Sequence, residues 1–90
     1  MEPIPPDAFD KLPKVLWENS RVAYSDNFFL VAIKNGAGIG VQMLTPEHMK
    51  QITQMFQFNL DEYEKTHGEI KSNWSPGTPS PIQVSNSGKN

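Results

Sequence analysis

The chain has 90 residues and a formal net charge of −2, with eight basic and ten acidic side chains. A chain this short forms at most one domain and hides only about 60% of the surface that its unfolded form exposes. It has no cysteine, which excludes disulfides and thiolate zinc sites. The charges form no basic patch of the kind that binds duplex nucleic acid, and no apolar run approaches the ~20 residues of a membrane-spanning helix.

The prolines divide the chain, because seven of the eight lie outside residues 20–70. We predict an extended Pro-rich arm over residues 1–19, a domain over residues 20–71 and a flexible Ser/Pro-rich tail over residues 72–90. The N-terminal arm carries scattered apolar side chains, so it either folds back on its own domain or docks on a neighbouring molecule. Its last residues, KVLW, could form a short strand at the edge of a sheet.

Two strands are predicted next, RVAYS over residues 21–25 and NFFLVAIK over residues 27–34. The second is the clearer one, but its apolar residues do not alternate with polar ones. A strand that is apolar on both faces needs cover on both faces. Because one helix covers only one face, the other face requires an arm or a second subunit.

The glycine-rich stretch AIKNGAGIGVQM, residues 32–43, could be a phosphate-binding loop or a turn. A phosphate-binding loop leads from a strand into a helix, whereas residues 39–44 alternate as a third strand. The dipeptide Asn35-Gly36 is a strong hairpin signal and favours a type I′ turn. We therefore predict a hairpin, with Gly40 as a bulge or a place where another group approaches the backbone closely.

A long helix is predicted over residues 46–67. Thr45 is a good N-cap, Pro46 suits the first helical position, and Gly68 suits the residue after the helix. One face carries an apolar stripe that we define as Met49, Ile52, Met55, Phe56, Leu60 and Tyr63. Asn59 falls inside this stripe, which predicts a polar contact in the core or across a subunit interface. The fold class is thus α+β: a three-stranded antiparallel meander followed by one long C-terminal helix, with extended arms.

No set of residues predicts catalysis, a cofactor or a metal. His48 and His67 lie on the same helix about 28 Å apart, which is too far to share a metal ion within one subunit. The carboxylates Asp61, Glu62 and Glu64 lie off the apolar stripe, and Asp61 precedes Lys65 by four residues, as in an ordinary solvent-exposed ion pair. We predict that the protein is not an enzyme and has no cofactor.

The segment MLTPEHMKQITQMFQFNLDEYEKTHGEIK, residues 43–71, resembles a family of small prokaryotic and phage proteins known as domain of unknown function 3467. The matching residues are Pro46, His48, Asn59, Leu60, Tyr63, Glu64, Gly68, Glu69 and Ile70. With NFFLVAIKNG in place of the family's aromatic-rich middle strand, the resemblance extends over residues 21–71. It implies a strand–strand–strand–helix unit that is dimeric or larger, and it implies no activity.

The first functional hypothesis is a non-enzymatic structural or assembly protein that forms a homo-oligomer or joins a larger protein assembly, with its arms docked on neighbouring subunits. It could be a minor or decoration component of a virion or another large complex. The alternative is a regulatory adaptor that binds protein or single-stranded nucleic acid through its sheet, using Tyr24, Phe28, Phe29 and Lys34. The residues predicted to form interfaces are Phe9, Trp17, Phe28, Phe29, Phe58 and Trp74.

The N-terminus lacks the basic start and apolar stretch of a secretory signal. We therefore expect a cytoplasmic protein, either in a bacterial cell or in a virion assembled in the host cytoplasm, without a membrane partner.

Overall fold

A computed structural model describes residues 2–82 of the chain. The elements in order are α1 (Ala8–Lys11), β1 (Trp17–Tyr24), β2 (Phe29–Asn35), β3 (Gly38–Leu44) and α2 (Pro46–His67). The three strands form one antiparallel sheet in the order β1-β2-β3. The predicted meander followed by a long helix is confirmed, and the helix has the predicted bounds. Residues 83–90 of the predicted tail lie outside the described residues.

The register assigns the side chains of the sheet to two faces, since directly paired residues point to the same side. Face A carries Val22, Tyr24, Phe29, Val31, Ile33 and Leu44, together with Ser20, Gly40 and Gln42. Face B carries Ala23, Leu30, Ala32, Ile39, Val41 and Met43, together with Arg21 and Lys34. Both faces are therefore mainly apolar on β2, as the sequence predicts.

The hairpin between β2 and β3 differs from the predicted turn. Its loop is Gly36 and Ala37, Asn35 pairs with Gly38, and no non-glycine residue among those described has positive φ. The Asn35 side chain accepts a hydrogen bond from the Ala37 amide at 2.8 Å. Asn35 thus stays in β2 and stabilises the loop through its side chain, so the type I′ prediction is wrong.

The predicted bulge at Gly40 is also absent from the register, which pairs Gly40 with Ile33 without a shift. A Cβ atom built on Gly40 would meet no described atom within 4 Å. The irregularity lies instead at the start of β1, between Trp17 and Asn19.

The N-terminal arm is not extended throughout. Residues Ala8–Lys11 form one helical turn, closed by hydrogen bonds from Lys11 and Leu12 to Asp7 and Ala8. The predicted strand in KVLW, residues 14–17, is wrong except at Trp17, which begins β1, while residues 14–16 lie outside any strand. Val15 lies beside the hairpin loop, 3.8 Å from the position of a Cβ atom on Gly36.

The helix α2 starts directly after the sheet. The Thr45 hydroxyl accepts a hydrogen bond from the His48 amide at 3.2 Å, and Pro46 occupies the first turn. At the other end, Gly68 has φ 89° and its amide donates to the Glu64 carbonyl. The cap and the stop that the sequence predicts are therefore both confirmed.

The core is very small. Among residues 2–82, Leu44 is the only buried residue, at 9% exposure. The apolar stripe of α2 is half-buried at Met49 and Ile52, in the first two turns, while its remaining members are exposed. The radius of gyration of the chain is 15.4 Å, against about 12 Å for a compact chain of this length. The helix thus contacts the sheet near the end of β3 and leaves most of its apolar stripe in solvent.

Candidate functional site

The outer edge of β1 is partly covered by the C-terminal tail. The Ser80 amide donates to the Ser20 carbonyl at 2.8 Å, and the Ile82 amide donates to the Glu18 carbonyl at 2.6 Å. The hydroxyl groups of Ser20 and Ser80 are also in contact. The tail therefore adds a short antiparallel segment to the sheet, which the sequence did not predict.

A turn in the tail leads to this edge. The Trp74 indole N–H donates to the Thr78 carbonyl at 3.1 Å, and the Thr78 hydroxyl donates to the Ser75 carbonyl at 2.7 Å. Gly77 has φ 87°, a conformation that favours glycine. The tail then borders an open groove over face B, and the lining of this groove includes Ala32, Val41 and Trp74. The tail is thus attached to the sheet at its edge but leaves the groove open.

The outer edge of β3 presents the most exposed apolar side chains of face B. Ile39, Val41 and Met43, which we call the β3 row, are exposed by 75%, 60% and 63%. The alternation of residues 39–44 predicts that the β3 row shares one side of a strand, but these residues are not among the predicted interface residues. The signal was available, because GIGVQML contains no charged residue and no proline.

Face A carries an aromatic pair at the end of the sheet that lies opposite the loop between β2 and β3. The rings of Tyr24 and Phe29 lie 5.8 Å apart at an angle of 42°. Phe29 is half-buried and Tyr24 is exposed. Leu44, which is buried, pairs with Phe29 in the register, so the aromatic pair adjoins it.

The six predicted interface residues do not form one cluster. Trp17 pairs with Asn35 at the hairpin end of the sheet, whereas Phe28 and Phe29 lie at the opposite end, about 20 Å away along β2. Phe9 is on α1 and Phe58 is on α2, and Trp74 borders the groove over face B. All except Phe29 are exposed.

Polar groups on α2 form bonds within the helix. The side-chain amide of Asn59 donates to the Met55 carbonyl at 2.9 Å, and the residue is exposed. The predicted contact of Asn59 in a core is therefore wrong for the single chain. The His67 ring stacks on Tyr63 with centroids 4.2 Å apart. Lys65 pairs with Glu62 at 3.0 Å rather than with Asp61, which accepts a hydrogen bond from Gln57. These are ordinary solvent-exposed contacts.

Within residues 2–82, no group of three or more potential metal-ligating side chains is arranged to hold an ion. The glycine-rich stretch forms the end of β2, the hairpin loop and most of β3, so its loop leads into a strand and not into the N-terminus of α2. The described helices are all too short or too polar to cross a membrane.

Residues 32–72 match the family described as "Protein of unknown function (DUF3467)". The match includes most of β2, all of β3 and all of α2, which is slightly less than half of the chain. The predicted resemblance to this family is confirmed, although the match begins eleven residues later than predicted and leaves out β1. No curated protein and no solved structure matches the chain.

Proposed function

We propose that the protein is a non-enzymatic structural or assembly component that functions as an oligomer. The observation that carries this proposal is the single buried residue, Leu44, in the part of the chain that the structure describes. Large apolar side chains on both sheet faces and on α2 remain exposed in one copy. Small domains below the usual size limit gain stability from disulfides, metals or partner subunits, and this chain has no cysteine.

The accessible area of the chain supports the same proposal. It is 8347 Å², whereas a compact monomer of 10.1 kDa exposes about 5,300 Å². The arms account for part of this excess, and the exposed apolar side chains of the sheet and α2 account for another part that an interface can cover. The exposed side chains are also those that interfaces favour, since they include aromatic residues and methionine.

The arms extend the proposal to a larger assembly. The N-terminal arm exposes Ile4, Phe9, Leu12 and Leu16, and the tail exposes Trp74. Apolar groups at such positions are suited to docking on neighbouring subunits. We therefore propose a minor or decoration component of a virion or another large complex, assembled in the cytoplasm.

The oligomeric state tests the core of the proposal. Sedimentation equilibrium over about two decades of protein concentration should show a self-associating species, with the folded fraction rising as concentration rises. A monomer that unfolds cooperatively, with a midpoint that does not depend on concentration, would overturn the proposal. Limited proteolysis tests the arms: cleavage before residue 17 and after residue 71 should be slower in the assembled form than in the dilute protein.

A second candidate is a regulatory adaptor that binds protein or single-stranded nucleic acid through its sheet. The exposed Tyr24 beside Phe29 favours it, because bases stack on aromatic rings. The net charge of −2 opposes it. Titration of a labelled single-stranded oligonucleotide at low and high salt tests this candidate. Salt-sensitive binding supports the adaptor, and no binding at low salt excludes its nucleic-acid form.

A further inference from the structure

Among residues 2–82, the backbone of β3 is hydrogen-bonded on one side only. The loop between β2 and β3 has two residues, and the pair that closes such a loop, Asn35 with Gly38, is hydrogen-bonded. Bonded and non-bonded pairs alternate along an antiparallel ladder. The amide and carbonyl groups of Gly38, Gly40, Gln42 and Leu44 therefore face β2. Those of Ile39, Val41 and Met43 face away from the sheet.

The hydrogen bonds of the tail, at the opposite edge of the sheet, agree with this alternation of inward-facing and outward-facing backbone groups. Glu18 and Ser20 accept bonds from the tail, so their carbonyl groups point away from β2. The intervening Asn19 pairs with Lys34, whose backbone then faces β1 and not β3. Within residues 2–82, no backbone or side-chain group bonds to the outward groups of β3.

This edge lacks the features that keep a sheet edge from pairing with another molecule. Natural edges carry charged residues, proline or bulges, or are covered by a loop. β3 has no charged residue and no proline, its register with β2 has no bulge, and the β3 row is exposed. The edge of β1 differs, because it carries Glu18 and Arg21, has a register shift and is partly covered by the tail.

The sequence of β3 complements itself in one antiparallel register. If Val41 of one copy faces Val41 of a second copy, then Ile39 faces Met43, and Met43 faces Ile39. All three residues of the β3 row have outward backbone groups, so each facing pair can form two hydrogen bonds. The same register joins the two β3 rows on face B into one apolar cluster of six side chains, without any charge at the junction.

We propose that β3 pairs with β3 of a second copy of this chain in this register, which forms a continuous six-stranded antiparallel sheet. The proposal rests on the oligomerisation proposed above and specifies its surface. The pairing ends at Pro46, which has no amide hydrogen to donate. It satisfies the outward backbone groups and shields part of the β3 row from water.

Charge at the centre of the junction tests the proposal. Val41→Lys places two like-charged side chains on facing residues whose Cα atoms lie about 5.5 Å apart, and it should weaken self-association by about tenfold or more. Val41→Glu, measured without the lysine variant, should weaken self-association by a similar factor. Because position 41 faces itself, an equimolar mixture of Val41→Lys and Val41→Glu should associate as a heterodimer. The matched control is Val22→Lys with Val22→Glu, since Val22 is also an exposed strand valine but lies on β1.

Amide hydrogen exchange of the unmodified protein gives a measurement that does not depend on how a variant folds. In the associated protein, the Val41 amide should exchange about a hundredfold more slowly than an unbonded amide, and so should the Gln42 amide, which faces β2. Fast exchange at Val41 in an associated protein would overturn the proposal.

The outcomes also separate this inference from the proposed function. If the protein associates but Val41→Lys has no effect, or the charged pair at position 41 does not restore association, another surface such as α2 forms the oligomer and the β3 pairing is wrong. If the unmodified protein is a stable monomer, both proposals fail. If single charges at position 41 weaken association, the mixture of opposite charges restores it, and the variants at position 22 associate as the unmodified protein does, the register and the surface are both supported.

Discussion

The two edges of the sheet are built differently. The outer edge of β1 carries charged residues, begins with an irregular register and receives two hydrogen bonds from the tail. The outer edge of β3 has a regular register and an uncharged sequence, and it exposes Ile39, Val41 and Met43. One edge is thus partly covered by the same chain, and the other is suited to pairing with another molecule.

This difference indicates where the fold is held together. Leu44, the buried residue, ends β3 at the point where α2 begins. Met49 and Ile52, the half-buried apolar residues of α2, follow within two turns. The small core therefore lies at the end of the open edge strand, so pairing along β3 would extend the sheet from its most buried corner.

The largest expected effect on stability is at this corner. Leu44→Ala should lower the free energy of unfolding by about 2–3 kcal/mol, because it removes the buried side chain and leaves a cavity. The matched control, Val22→Ala, removes an exposed apolar side chain from face A of β1 and should cost under about 1 kcal/mol. Urea unfolding at one fixed protein concentration measures both. Equal losses at the two positions would contradict the placement of the core at the end of β3.

The sequence predicted the elements better than it predicted how they pack. The helix bounds followed from Thr45, Pro46 and Gly68, because caps and stops depend on local chemistry. The strands followed from apolar content and from the glycine-rich turn. The turn type was wrong because the Asn35 side chain stabilises the loop while its backbone stays in β2, and single-sequence patterns do not distinguish these two uses of asparagine.

The sites were harder to predict because they depend on the register and on long-range contacts. The β3 row becomes an edge only once β2 is known to lie in the centre of the sheet. The bond from the Ser80 amide to the Ser20 carbonyl joins residues sixty positions apart, and no local pattern in a Ser/Pro-rich segment indicates it. The apolar stripe of α2 was predicted correctly as a pattern. A pattern does not show, however, whether the stripe packs against its own chain or against another molecule.

A smaller effect is expected at the junction between β3 and α2. Thr45→Ala removes the hydroxyl that accepts the His48 amide and should lower the free energy of unfolding by about 1 kcal/mol. Thr53→Ala is the control, because the Thr53 hydroxyl only donates to the Met49 carbonyl within the helix. That change should alter stability by less than about 0.5 kcal/mol. If both variants lost the same stability in urea unfolding, the cap would contribute nothing specific to this corner.

The smallest effect is expected at the covered edge. Ser80→Pro removes the amide that donates to the Ser20 carbonyl, whereas Ser80→Ala keeps it. An exposed backbone bond contributes about 1 kcal/mol or less, so the neighbouring Ile82 amide should exchange about fivefold faster in the proline variant only. The Val41 amide should exchange equally in both variants, since β1 and β3 lie about 10 Å apart across β2. Loss of Val41 protection in the proline variant would mean that the tail supports both edges, and the two edges would then not be independent.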